Sequence, residues 1–61
     1  MDEFHVDDRV RLREDHADVP RGAVGVVIGF YSRDPPTCVV RFERGVREVP
    51  FHRLEPLGDE E

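Results

Sequence analysis

The chain has 61 residues and a net charge of −5 at pH 7, and 38% of its residues are apolar. A chain this short buries only about 60% of the surface that it exposes when unfolded, which excludes a Rossmann unit, a barrel enzyme and any deep cleft. No apolar run approaches the ~18 residues of a membrane span. We expect one domain over residues 1–61, with its core at about 6–57 and a flexible acidic tail at 58–61.

The apolar residues are those of a β protein. Ten valines, one isoleucine and four phenylalanines outnumber three leucines, and β-branched and aromatic residues favour strands. No window of eleven residues carries the apolar stripe of an amphipathic helix. The composition therefore predicts short strands joined by turns.

The first segment alternates with a period of two, which predicts one buried and one wet face. Its even positions carry Phe4, Val6, Val10 and Leu12. Its odd positions include Arg9, Arg11 and Arg13. We predict a strand near 8–13, with Phe4 and Val6 leading into it.

A polar loop is predicted at 14–22, in which Val19 and Ala17 can fold back onto the core. The nearly continuous apolar run at 23–31 predicts a central, curved second strand. Gly25 and Gly29 inside this run indicate a bulge or a sharp bend.

The segment 32–36 contains two consecutive prolines, which cannot continue a paired strand, so it is predicted to form a rigid exposed loop. A third strand is predicted at 37–42. Its alternation places three side chains on the inner face: Cys38, Val40 and Phe42.

The remaining elements are short. Glu43-Arg44-Gly45 predicts a hairpin turn in which Gly45 has a positive φ, followed by a fourth strand at 46–50. The segment 51–54 is too short for an α-helix and predicts one 3₁₀ turn, and 54–57 predicts a closing strand. We therefore predict an all-β, five-stranded, SH3-like, partly open barrel with one 3₁₀ turn before the last strand.

Four segments resemble the sequences of small bacterial SH3-like barrels. The segment 6–12 is similar to their opening "vGDrVrl", with Asp7 where those proteins usually have glycine, and 21–27 is similar to "kGxxGtV". The segment 39–42 resembles their "vVrF" strand, and 54–57 resembles their closing strand.

This pattern occurs in stand-alone proteins of unknown function and in three subunits of larger complexes. These are the nitrile hydratase β-subunit barrel, the photosystem I subunit that helps dock ferredoxin, and the ferredoxin–thioredoxin reductase variable chain. Because such barrels are generally non-catalytic, the resemblance implies a bacterial accessory subunit or docking module. The matched residues are turn glycines and core valines, which specify a fold and not a function.

No residue pattern predicts catalysis, a cofactor or a metal site. The three histidines and Cys38 lack the close, paired spacing of zinc ligands, and an inward Cys38 is expected to pack in the core. The carboxylate pairs belong on the solvated surface, since one small barrel cannot sequester them. We predict that the chain is not an enzyme.

The candidate contact surface comprises the outward arginines, Tyr31 and the two exposed loops at 14–22 and 32–36, and the candidate exposed aromatic residues are Phe30, Tyr31 and Phe51. We predict partner contacts at Arg9, Arg11, Arg13, Tyr31, Arg33, Pro35 and Arg41. The alternative for the arginines is pairing with outward acids across the sheet.

These observations predict an acidic, cytoplasmic protein-interaction module or accessory subunit with an unidentified protein partner. The start of the chain has no apolar region of a secretory signal, and the net charge disfavours nucleic acid as a partner. Two alternatives stay open: an RNA- or ribosome-associated barrel of the KOW type, and a small acidic antitoxin- or immunity-type protein. Self-association is a further alternative, because it adds buried area to a small barrel.

Overall fold

The computed structural model of the chain describes residues 4–57. Five strands and one 3₁₀ turn make up its regular structure. They are β1 (Arg9–Leu12), β2 (Val24–Tyr31), β3 (Thr37–Phe42), β4 (Gly45–Pro50), the 3₁₀ turn Phe51–Arg53, and β5 (Leu54–Pro56). Within residues 4–57, no helix is long and apolar enough to cross a membrane. The predicted acidic tail at 58–61 lies outside the described residues.

All strand pairs are antiparallel, in the order β4-β3-β2-β1-β5. The two edge strands, β4 and β5, do not pair with each other, so the sheet stays partly open. The predicted fold class is confirmed: the described chain is all-β and five-stranded, with a single 3₁₀ turn before the last strand. The predicted positive φ of Gly45, at the hairpin between β3 and β4, is also confirmed at 133°.

In the described part of the chain, nine buried apolar side chains form the core, and they come from all five strands and the 14–22 loop. They are Val10, Leu12, Val19, Val27, Cys38, Val40, Phe42, Val49 and Leu54. The inward positions predicted for β3 are therefore confirmed. The loop contributes Val19 to the core, as expected, whereas Ala17 is exposed.

The prediction that Val6 shares the buried face is wrong. Val6 is 51% exposed because the chain turns before β1 begins. The turn is closed by the backbone N–H of Asp8, which donates to the carbonyl of His5 at 3.0 Å, and Asp7 has a φ of 80°. Asp7 stands where the resembling sequences have glycine, and a positive φ is the conformation that glycine adopts without steric cost.

Gly25 lies in regular pairing, so the bulge predicted there is wrong. It pairs with Val10 on one side and Phe42 on the other, and its φ is not positive. The irregularity in β2 lies instead between Val27 and Gly29. Glycine is required at position 25 by close packing, because a Cβ there would lie 2.6 Å from Val40 Cγ1 and 2.8 Å from the carbonyl oxygen of Arg41.

Gly25→Ala is expected to lower the free energy of unfolding by about 1–3 kcal/mol, because the new methyl group overpacks the core. Gly29→Ala is the matched control in the same strand. Its Cβ would have no neighbour closer than 3.9 Å, so its stability should stay within about 1 kcal/mol of wild type. Urea denaturation of the three proteins measures both effects, and equal destabilisation by the two substitutions would contradict the packing argument.

Cys38 is a core thiol with little thiolate at neutral pH. Burial raises its pKa to about 11 from the usual 9.0, with a smaller contribution from the negative charge of Asp8. At pH ~8 the thiolate fraction is therefore about 100-fold lower than for an ordinary cysteine. We expect a chromogenic disulfide reagent to label the native chain at least about 100-fold more slowly than the urea-unfolded chain. Equal labelling rates would contradict the burial of Cys38.

Candidate functional site

An open groove of about 340 Å³ lies beside the end of β2. Its lining residues are Phe4, Phe30, Tyr31, Ser32, Pro36 and Phe51. Four of the five aromatic residues of the chain are therefore gathered at this place, and the fifth, Phe42, lies in the core. We call this site the aromatic groove.

The 3₁₀ turn and the 32–36 loop hold the aromatic groove together. The backbone N–H of Phe51 donates to the carbonyl of Pro36 at 3.0 Å, which fixes the loop against the turn. The ring centroid of Phe51 lies 5.6 Å from that of Phe4, edge to face, and 6.0 Å from that of Phe30. These separations are typical of favourable aromatic pairs, so Phe51 is the central ring of the site.

Tyr31 forms the solvent-facing rim of the groove and is 42% exposed. The guanidinium carbon of Arg33 lies 4.5 Å from the centroid of the Tyr31 ring, in cation–π geometry. Arg33 Nη1 also lies 3.3 Å from a carboxylate oxygen of Glu48, which neutralises its charge locally. Arg33 therefore supports Tyr31 and is not a free cation.

The sequence analysis placed Tyr31 and the 32–36 loop at a contact surface and named Phe30 and Phe51 as candidate exposed aromatic residues, but it missed Phe4. Phe4 was expected to lead into a buried strand, yet it turns back to meet Phe51. Pro36, and not the predicted Pro35, lines the groove, while the carbonyl of Pro35 accepts a hydrogen bond from Thr37 Oγ1 at 3.1 Å. The dipeptide Phe30-Tyr31 before two prolines was the available signal for an exposed aromatic site.

The predicted arginine contacts are largely occupied by partners within the chain. Arg11 Nε lies 2.8 Å from Glu55 Oε2, directly across the β1–β5 pair. Arg13 Nη1 lies 3.5 Å from the carbonyl of His52. Arg9 also has an interaction partner. Arg41 is exposed, and its side chain makes no hydrogen bond or ion pair with the described residues.

The 14–22 loop, also expected to be a contact surface, is bound along the outer edge of β4. Arg47 of β4 makes two hydrogen bonds to the carboxylate of Asp18, both 2.9 Å long. His16 Nε2 lies 2.8 Å from the carbonyl of Glu48, and Arg53 Nη1 lies 3.4 Å from His16 Nδ1. Because a carbonyl oxygen only accepts hydrogen bonds, His16 Nε2 donates its N–H to the β4 edge.

No group of three or more histidine, cysteine, aspartate or glutamate residues in the 4–57 segment is placed to hold a metal ion. The three histidines have separate surroundings: His16 contacts the β4 edge, His5 lies 3.7 Å from Asp8, and the carbonyl of His52 faces Arg13.

Comparisons of the chain with protein-family models, with curated proteins and with solved structures find no match. The resemblance to SH3-like accessory subunits therefore stays a prediction.

The Asp18–Arg47 pair makes stability depend on pH in acid. The hydrogen bonds that the Asp18 carboxylate accepts from Arg47 hold the pKa of Asp18 below the usual 3.8. A depressed pKa in the folded state means that the stabilisation is present above pH ~3.8 and is lost as pH falls through the lower folded value. Asp18→Asn should therefore lower Tm slightly at pH ~7 and lower it by less at pH ~2.

Asp34→Asn is the matched control, since Asp34 is an exposed loop acid with no hydrogen bond or ion pair among residues 4–57. Thermal unfolding followed by circular dichroism at the two pH values measures the difference. A loss of Tm in Asp18→Asn that is as large at pH ~2 as at pH ~7 would show that the ion pair is not its cause.

Proposed function

We propose that this chain is a non-catalytic protein-interaction module or accessory subunit that binds its partner through the aromatic groove. The observation that carries the proposal is the exposure of Phe30 and Tyr31, at 41% and 42%, when only nine apolar residues within 4–57 are buried. Each apolar Å² left in water forgoes about 25 cal/mol of stabilisation. Contiguous exposed aromatic surface of this kind is typical of protein-binding sites.

The chemistry of the groove supports binding in preference to catalysis. Four rings and a proline supply contact area, and the polar groups among the lining residues are the hydroxyls of Tyr31 and Ser32. Among the described residues, no histidine or carboxylate lines the groove to act as a general base for either hydroxyl. The groove thus offers apolar anchoring with two hydrogen-bonding groups at its rim.

The pairing of the arginines favours a protein partner over RNA. Arg11, Arg33 and Arg47 each face a carboxylate within the chain, and the net charge is −5. A phosphate-binding surface needs uncompensated cations. We further propose a cytoplasmic setting and a basic partner surface, which also accommodates an antitoxin- or immunity-type role.

The test has two stages, because capture alone does not locate a binding site. The immobilised chain first identifies partners from extracts of its source organism, with and without nuclease. The purified partner is then titrated against wild type, Tyr31→Ala and Val46→Ala by calorimetry. Val46 is the matched control, since it is 49% exposed on β4 and outside the groove.

We expect a partner that persists after nuclease treatment, with an affinity reduced about 10-fold or more by Tyr31→Ala and unchanged by Val46→Ala. Equal affinity of the two variants would exclude the aromatic groove as the contact surface. Loss of all captured proteins on nuclease treatment would favour the RNA-associated alternative.

A further inference from the structure

The strand β1 covers only the first half of β2. The paired residues of β2 on this side are Val24, Gly25 and Val26. The contact extends to Val27, whose carbonyl accepts from the N–H of Asp7 and whose N–H donates to the carbonyl of Asp8. On its other side, β2 continues to pair with β3 as far as Tyr31. Among the described residues, the stretch 28–31 is therefore a one-sided edge in the middle of the sheet.

The backbone of Phe30 faces this open side. Val27 exchanges hydrogen bonds with Asp7 and Asp8, so its pair with Val40 is of the non-hydrogen-bonded type. After the irregularity at Val27/Gly29, the pair Gly29–Val39 is of the hydrogen-bonded type and the next pair, Phe30–Cys38, is of the non-hydrogen-bonded type. The N–H and C=O of Phe30 consequently point away from β3, toward the side that β1 has left.

The same alternation gives an independent check at β4. It predicts that the pair Val39–Glu48 is non-hydrogen-bonded, so the backbone carbonyl of Glu48 must point outward. The structure places His16 Nε2 on that carbonyl at 2.8 Å. The β4 edge is thus covered by a loop, whereas no backbone hydrogen bond within residues 4–57 reaches Phe30 from its open side.

Apolar side chains accompany the open edge. Ile28 is 41% exposed, and Phe30 and Tyr31 lead directly into the aromatic groove. An extended segment added to β2 would therefore find backbone partners at Phe30 and a place for an apolar side chain between Phe30, Tyr31 and Phe51. Backbone pairing with side-chain pockets beside it is the geometry of strand addition.

The acidic residues near the open edge favour a basic segment as the binding partner. Asp7 donates its backbone N–H to Val27 at 2.8 Å, which places it at one end of the open stretch. Asp34 lies in the loop between two lining residues at the other end. Arg33 is compensated by Glu48, so the surroundings are acidic, and the net charge of −5 opposes a second copy of the chain.

We propose that the edge of β2 at Phe30 accepts an extended, basic segment of a partner protein as an added strand, with one apolar side chain in the aromatic groove and a lysine or arginine directed toward Asp7 or Asp34. The proposal rests on the function proposed above and specifies how the partner is held.

The probe is a phage-displayed library of random peptides of about ten residues, long enough to pair along the open stretch. Selection on wild-type chain should enrich peptides that combine a lysine or arginine with alternating apolar residues. A selected peptide is then synthesised and titrated against wild type, Tyr31→Ala, Asp34→Asn and Val46→Ala. We expect about 10-fold weaker binding to Tyr31→Ala, a few-fold weaker binding to Asp34→Asn, and no change for Val46→Ala.

Backbone pairing is tested by N-methylating one peptide amide at a time. Phe30 offers one backbone carbonyl to an added strand, so methylation of the one peptide amide that donates to it should weaken binding by about 10-fold or more, whereas methylation of the two amides beside it should have little effect. If binding is lost with Tyr31→Ala but no single amide position is sensitive to methylation, the aromatic groove is the contact surface and strand addition is wrong. Binding unaffected by Tyr31→Ala would overturn the proposed function itself.

Two further outcomes overturn the inference. One is selection of acidic peptides, or of no peptide that depends on Tyr31. The other is a concentration-dependent dimer in sedimentation velocity that dissociates when the peptide binds, which would make a second copy the natural occupant of the edge.

Discussion

The unequal lengths of β1 and β2 govern the rest of the structure. β2 has eight residues and β1 has four, so the central strand cannot be paired along its whole length on the β1 side. In the first half of β2, the absence of a side chain at Gly25 lets the strand pack closely against Val40 and Phe42 of β3. In its second half, the strand runs on beside the 3₁₀ turn, where Phe30 contacts Phe51, and Phe51 in turn contacts Phe4 at the margin of the core. One strand therefore supplies both the centre of the fold and the candidate binding site.

A partly open sheet must protect its edges against pairing with other chains. The edge of β4 is covered by the 14–22 loop through His16 and Asp18, which bind the carbonyl of Glu48 and the side chain of Arg47. The other edge strand, β5, is only three residues long and ends in proline. Unlike these two edges, the stretch 28–31 of β2 is neither covered by a described loop nor shortened. This exposure agrees with the proposal that the edge binds a segment of a partner protein.

Period-two alternation and turn residues were sufficient to predict the strands, the hairpin at Gly45 and the inward face of β3, because these features depend on neighbours in sequence. The same reasoning was wrong at Val6, since alternation holds only while the strand continues and the turn at Asp7 ends it. It was also wrong about Gly25. A glycine that makes a bulge and a glycine that permits close packing look alike in sequence, and only the distance to Val40 distinguishes them. The 14–22 loop was expected to face a partner, because its polar residues gave no sign that they bind β4.

The sequence by itself determined an acidic, all-β chain of five short strands with a small valine-rich core, since composition and local periodicity carry that information. The tertiary structure alone decided which outward charges are neutralised and which aromatic residues come together. Arg47 and Asp18 are 29 residues apart, and Phe4 and Phe51 are further apart still, yet each pair is in contact. Such contacts arise from how the strands curve and where β1 ends. Those are properties of the folded sheet, and no single segment of the sequence contains them.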